Sequence, residues 1–264
     1  MSNIVITGST RGIGLGLAEA FMQLGCNVIL SGRKAESVNQ TVEVIRQRHQ
    51  TGLVYGVDCD VRSFDQVQAL WDSAIRLTGQ VDIWINNAGL SNPRMPIWKN
   101  QPEDVQSTLN TNLLGTIFGS MVAMRGMLET RKGAVYNMEG MASDGRKHTG
   151  MTFYGMSKYG LHYFNECLIQ ETRKSPVIVG ILRPGMVVTG LITDQFEPDS
   201  DEWYQFRKIL NMIGERVETV APWLAQEMIN NHQHGRVINF TNPAKMIGRF
   251  LFAPFVKRDI LTNR

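Results

Sequence analysis

The chain has 264 residues, 43% hydrophobic and 19% charged, a balance that fits one soluble globular domain and excludes a disordered or fibrous protein. Twenty-seven Lys and Arg against 24 Asp and Glu leave a formal charge of +3, too small an excess to name nucleic acid as the main partner. Cys26, Cys59 and Cys167 lack CxxC or Cys/His ligand spacing, which argues against a disulfide framework or a metal site and for a reducing, cytoplasmic setting.

MSNIVITGS runs from the start Met into an apolar stretch with no basic n-region and no long h-region, so no signal peptide is expected. No run of about 18 apolar residues reads as a membrane span. Asn3 to Thr7 is a β-branched strand ending at Gly8, and from Arg11 the apolar residues recur at helical spacing up to Gly25. Between them GSTRGIG places Gly8, Gly12 and Gly14 where a tight turn lets backbone N–H groups approach a pyrophosphate at the positive end of a helix. Asn27 to Leu30 is the second strand. An acid at its end would accept from the ribose 2′-OH of NAD, but Ser31, Gly32 and Arg33 stand there, which favours NADP with Arg33 and Arg11 clamping the 2′-phosphate.

Lys34 to His49 reads as an amphipathic helix, Gly52 to Val57 as a strand, Ser63 to Thr78 as a helix and Val81 to Ile85 as a buried strand that opens into Asn86, Asn87, Ala88 and Gly89. Strands alternating with helices of this length predict a doubly wound sheet of about seven parallel strands, with ligands at the carboxyl ends. After a Pro-rich loop from Leu90 to Pro102, a helical region with Asn110, Asn112 and Gly115 runs to about Glu129, and Ala134 to Met138 is the fifth strand. EGMASDGRKHTG then leads to FYGMSKYG, where a spacing of four sets Tyr154 and Lys158 on one helix face. An ammonium beside a phenol favours phenolate and draws its pKa from about 10 toward neutrality, where proton exchange with a carbonyl is efficient. Val177 to Leu182 is the sixth strand, before the turn Arg183, Pro184, Gly185. Leu191 to Gly214 is unassigned and reads as a lid, Val217 to Asn231 is a helix, and Arg236 to Phe240 is the last strand. The domain is placed at 1–240 with its lid at 190–216, and 241–264 forms an aromatic and basic extension able to lie on a membrane, close over an apolar substrate or pack on a partner. His232 and His234 read as loop residues.

TGSTRGIG at 7–14, Asp60-Val61, NNAG at 86–89, Asn112, Tyr154-x-x-x-Lys158 and RPGMVVT at 183–189 stand in the order and spacing of the short-chain dehydrogenase/reductase family, which the chain resembles over nearly its whole length. The resemblance implies a single-domain Rossmann fold, a homodimer or homotetramer, and no nucleic-acid partner. It implies that Gly8, Ser9, Thr10, Arg11, Gly12, Ile13 and Gly14 hold the pyrophosphate, Asp60 and Val61 flank adenine, and Asn87, Ala88 and Gly89 line the dinucleotide. Pro184, Gly185, Val187 and Thr189 would hold the nicotinamide. Tyr154 would donate the proton, Lys158 would lower its pKa and bind ribose, and Asn112 would support a water leading protons to Lys158.

One position departs. Met141 stands where the family carries a Ser that hydrogen-bonds the substrate oxygen, and a thioether cannot donate. Ser143 or a loop N–H is the expected replacement. YNMEG, FYGMSK, PGMVVTGL and ETVAPWL resemble the chlorophyll b reductase branch, which implies NADPH reduction of a chlorin formyl group to hydroxymethyl, with a bulky, mostly apolar carbonyl compound as substrate. Glu139, Met141 and Met186 are expected to face it, Glu139 either as a ligand or as a loop-capping carboxylate. Arg146, Lys147 and His148 are either a solvated turn or a partner for a substrate carboxylate. A steroid, sugar or acyl dehydrogenase, or an NADP-binding regulatory protein without catalysis, are the alternatives.

Overall fold

A computed structural model describes residues 1–49, 51–197, 199–241 and 258–261. Seven strands form one sheet: β1 (Asn3–Ile6), β2 (Asn27–Gly32), β3 (Val54–Asp58), β4 (Ile83–Asn86), β5 (Ala134–Met138), β6 (Ile178–Arg183) and β7 (Val237–Asn239). Their order is β3-β2-β1-β4-β5-β6-β7, and every pairing is parallel. This is the doubly wound sheet expected from the sequence. The order in which successive strands are added reverses between β1 and β4, so the loops after these two strands part and leave a crevice at their carboxyl ends.

Period-two alternation divides the core. Ile4 and Ile6 of β1, Val28 and Leu30 of β2, and Ile83 and Ile85 of β4 pack on one face, against α1 (Gly12–Gln23), α2 (Ala35–Arg48) and α9 (Val217–Ile229). Val5, Ile29, Trp84 and Val135 fill the other, under α3 (Phe64–Thr78) and α5 (Gly115–Thr130). Burial on both faces is why these strands read as continuous apolar runs. Capping sets the helix ends: Ser63 accepts from the Gln66 N–H at the start of α3, and Gly79, at φ 79°, closes it.

The helical region around Asn112 differs from a regular helix. α4 (Pro102–Leu109) and α5 are joined by a π turn, Asn110–Leu114, of the kind that often marks functional sites. α6 (Thr152–Thr172) carries Tyr154 and Lys158. The unassigned stretch forms α7 (Gly190–Thr193) and α8 (Asp201–Ile213). Ser200 caps α8 by accepting from the Trp203 N–H, and Asp201 and Glu202 sit at its positive end. Its apolar positions were masked by polar neighbours, yet Phe196 stacks on Phe206 at 4.5 Å and approaches Trp203 at 5.8 Å. Among the described residues no helix is long and apolar enough to cross a membrane. Most of the 241–264 extension lies outside the described residues.

Candidate active site

The crevice is a cavity of about 1640 Å³ lined from both sides of the sheet split. On the β1 side Gly8 (φ +62°) and Gly12 (φ +60°) take conformations that favour glycine. A Cβ on Gly8 would lie 2.7 Å from the Ala88 Cα, and one on Gly14 would lie 2.4 Å from the Asn87 Nδ2. Two segments far apart in sequence thus approach at van der Waals limits. Asn87 ties them by donating to the Thr7 and Gly8 carbonyls, and the Thr7 hydroxyl accepts from the Asn87 and Ala88 N–H groups. Arg11, in the N-cap position of α1, makes no capping hydrogen bond, and the first turn holds no acidic residue. The N–H groups of Gly12, Ile13 and Gly14 therefore face the cavity as an uncapped positive helix end, which fits a dinucleotide pyrophosphate.

Not every expected cofactor residue lies there. Gly8, Arg11, Gly12, Ile13, Gly14, Asn87, Gly89, Pro184, Gly185, Val187 and Thr189 line the cavity. Ser9 does not: it is fully buried, donates to the Ile6 carbonyl and accepts from the Ser31 N–H, so it knits β1 to β2. Ala88 serves through its contact with Gly8, and Thr10 packs on Gly32. Arg33, Asp60 and Val61 lie beyond the cavity, at the ends of β2 and β3. The Asp60 carboxylate is gripped by Arg62, whose hydrogen bonds hold it below the usual carboxylate range, with Arg33 contributing.

At the end of β5 the Tyr154 hydroxyl rests on Gly140, where a Cβ would lie 2.5 Å from the phenolic oxygen. Lys158 donates from Nζ to the Met138 carbonyl at 3.1 Å, and that nitrogen lies 6.0 Å from the Tyr154 ring centre. Burial pushes Tyr154 up to about 12 and Lys158 down to about 8. Burial therefore outweighs the expected pull of Lys158 on the phenol: both groups are desolvated, and the ammonium donates to a backbone carbonyl. Asn112 is fully buried. Its Oδ1 accepts from the Leu90 N–H at 2.7 Å, and its Nδ2 donates to the Leu90 carbonyl and to Ser157 Oγ, which donates in turn to the Tyr154 carbonyl. The π turn delivers that amide to the foot of the Tyr154 helix, so the Asn112 side chain braces the loop after β4 against it.

Glu139 lines the cavity, and its carboxylate is taken up by groups from β6 and α6 rather than by its own loop. Its side chain is fully buried, accepting from Arg183 Nε at 2.7 Å and Asn165 Nδ2 at 3.1 Å and lying 2.9 Å from His162 Nδ1. Burial raises its pKa, but the bonds from His162, Arg183 and Asn165 outweigh that and the net shift is downward. Its charge opposes the burial-driven fall of Lys158. Asn165 continues the polar chain through Asn137 to Asn86. Arg183, His162 and Asn165 escaped sequence reading because each looks like an ordinary helix or strand-end residue. Ser143 also differs from expectation, since its single proton goes to the Gly140 carbonyl at 2.7 Å. Met141 and Met186 line the cavity as expected. His234 ties a loop, 3.0 Å from the Ile169 carbonyl.

The model of the family described as short chain dehydrogenase matches residues 2–200. The probable chlorophyll(ide) b reductase, chloroplastic, of Oryza sativa subsp. japonica is 35% identical over 261 residues, covering 93% of this chain and 51% of that protein. A chloroplastic chlorophyll(ide) b reductase of Arabidopsis thaliana is 33% identical over 227 residues, 84% of this chain and 64% of that one. The chain thus spans between half and two thirds of the length of these relatives. Among solved structures, levodione reductase superposes with a TM-score of 0.82 at 18% identity, covering 92% of this chain and 97% of that one. A serine dehydrogenase complexed with NADP+ gives 0.79 at 23% identity over 92% and 95%. With the glycine turn and the Tyr-Lys helix both inside the matched residues 2–200, the chain belongs to the short-chain dehydrogenase/reductase family and groups with its chlorophyll b reductase branch.

Proposed function

We propose that the chain is an NADPH-dependent carbonyl reductase acting on a bulky, mostly apolar aldehyde or ketone, with a chlorin formyl group reduced to hydroxymethyl as its sharpest form. The observation that carries this reading is the convergence of the uncapped α1 N-terminus, the Asn87–Gly89 turn and the Tyr154–Lys158 pair on one cavity. NADPH rather than NADH is favoured by the exposed Arg11 and Arg33 and the absence of an acid at the end of β2. The bound nicotinamide supplies a hydride. Gly8 to Gly14 hold the phosphates, and the walls of Met141, Met151, Met186, Leu191 and Phe206 receive apolar surface and exclude water. Tyr154 gives its hydroxyl proton to the carbonyl oxygen. At about 12 the phenol is still far more acidic than an alcohol, whose alkoxide is about as basic as hydroxide, so transfer runs downhill. Lys158, anchored on Met138 and kept charged by Glu139, stabilises the phenolate that results.

NADPH oxidation should proceed with a chlorin aldehyde faster than with sterol ketones or acyl thioesters, and Tyr154→Phe should lower it about 10²- to 10⁴-fold. Met141 in the family's Ser position favours one rival, an NADP-binding protein without turnover. NADPH binding with no oxidation across that panel would establish the rival. A homodimer or homotetramer is supported by the outward apolar face of α5 and α6, where Met121, Leu128, Met156, Tyr159 and Tyr163 are exposed. Sedimentation at the mass of one chain would overturn that assembly. The three cysteines carry free thiols, which fits a reducing compartment.

A further inference from the structure

Two basic groups on the substrate side of the cavity have no part in carbonyl reduction. Arg94 lies in the loop after β4 and His148 in the loop before α6, and both line the cavity. One junction joins their loops. The Met95 N–H donates to the Gly150 carbonyl at 3.2 Å, and the Met151 N–H donates to the His148 carbonyl at 3.1 Å. A Cβ on Gly150 would lie 3.4 Å from the Arg94 Cβ. Tyr154 follows within the first turn of α6.

Arg94 is held but not neutralised. Its Cζ is 5.4 Å from the Phe196 ring centre and 5.9 Å from that of Phe206, the stacked pair from the lid. Stacking engages the flat face of a guanidinium and leaves its in-plane N–H donors available for a fork-shaped acceptor. No described carboxylate pairs with it. His148 Nε2 is buried without a hydrogen-bond partner, a cost that a ligand oxygen would remove. Arg146, by contrast, is 81% exposed and already paired with Asp144. A guanidinium and an orphaned imidazole nitrogen set among methionines and phenylalanines match one ligand chemistry, since charge-assisted bonds gain strength where water is scarce.

The geometry points to a carboxylate-binding subsite formed by Arg94 and His148, so that the substrate is a bulky apolar carbonyl compound that also bears a carboxylate. This rests on the reading that the same cavity takes the substrate, so its test needs no turnover. Calorimetry with 1-pyrenebutyrate and its methyl ester, neither reducible, is run on the full chain with and without NADP+. The acid should bind about ten- to a hundredfold more tightly than the ester. Arg94→Gln should remove about tenfold from the acid and leave the ester within about twofold, His148→Phe should weaken the acid about threefold, and Arg146→Gln should change neither. Equal affinity of acid and ester for the unmodified chain would overturn the subsite whatever the variants do. So would an Arg94→Gln protein that loses both alike, which would make Arg94 a lid-packing residue, or a His148→Phe protein with full acid affinity. Loss of the NADP+ response alone, with the acid preference intact, would count against the reductase reading and not against this site.

Discussion

On the β1 and β4 side of the crevice the surface that meets a ligand is backbone: glycines at positive φ, an uncapped helix end and an Asn87 amide that locks two loops. On the β5 side it is side chains, drawn from four segments and balanced by buried charge: Tyr154, Lys158, Glu139 and Arg183, with Arg94 and His148 beyond. The first side tolerates no added atoms and presents one chemistry, suited to a ligand common to many proteins. The second is tuned by substitution, which is where a chain of this family becomes specific for one substrate.

The largest expected effect comes from removing the charge that balances the second side. Glu139→Gln leaves Arg183 without its carboxylate, and breaking a buried pair of this kind costs about 3 to 5 kcal/mol, read toward the lower end because the Arg183 side chain is 33% exposed. Because the folded pKa of Glu139 lies below its ordinary 4.5, its contribution is complete above that value and is lost as pH falls through the folded pKa. Urea titrations from pH 7 to pH 3 should show that loss in the native chain and a flatter curve in the variant. Turnover reads the other end of the scale. Burial brings Lys158 down to about 8, so kcat/KM for reduction should decline as pH rises through that value. Glu139→Gln, by removing the opposing negative charge, should move the decline to lower pH. An unmoved limb would confine Glu139 to a structural role.

A pair of glycines sharpens the same contrast. Gly140→Ala drives a methyl against the Tyr154 hydroxyl, and displacing a reacting group by about 1 Å costs about 10²-fold in kcat. NADPH affinity should stay unchanged. Gly14→Ala sets its methyl against Asn87 and the Gly8 carbonyl, an overpacking of about 1 to 3 kcal/mol, and should weaken NADPH about ten- to a hundredfold. Fluorescence titration with NADPH and single-turnover kinetics separate the two. If both variants lose both functions, the two rims are one mechanical unit.

Arg33 gives a smaller, salt-dependent effect. It is exposed at the end of β2, so Arg33→Gln should weaken NADPH about tenfold at low salt and leave NADH unchanged, with the difference shrinking as ionic strength rises. Equal losses with the two cofactors would remove it from 2′-phosphate recognition.

The nucleotide side was legible because its requirements are local: a β-branched strand, glycines where the chain turns, and a helix pattern fall within a dozen residues. Tyr154 and Lys158 were legible for the same reason. What was not legible is whatever depends on contacts across the sheet. Glu139 looked like a loop residue until β6 brought Arg183 beside it and α6 brought His162. Ser143 looked like a spare donor, but its hydroxyl lies within hydrogen-bond distance of the Gly140 carbonyl of its own loop. The burial of Tyr154 and Lys158 was not legible either, because spacing reports that two groups share a face, whereas their pKa values also depend on how deeply the face is buried. Arg94 gave no signal, since its Phe196 and Phe206 partners lie about a hundred residues on, in the stretch with least pattern.

The least effect is expected at Ala142, where near-cancellation is itself informative. It holds φ +72° in the turn between Met141 and Ser143, a left-handed conformation that costs an L-residue about 1 to 2 kcal/mol. Ala142→Gly removes that strain. It also exposes the chain to the greater unfolded-state freedom of glycine, about 0.4 to 1 kcal/mol, and deletes a buried methyl worth about 0.8 kcal/mol. The terms nearly cancel, so Tm should move by no more than a few degrees. Turnover should still fall a few fold, because the methyl packs toward Gly155, where an added Cβ would meet it at 3.4 Å, in the first turn of α6 beside Tyr154. A clear rise in Tm with full activity would mean that the turn carries strain its neighbours do not use. Unchanged Tm with lowered kcat would place the Met141–Ser143 turn among the elements that hold the substrate side in register with the proton donor.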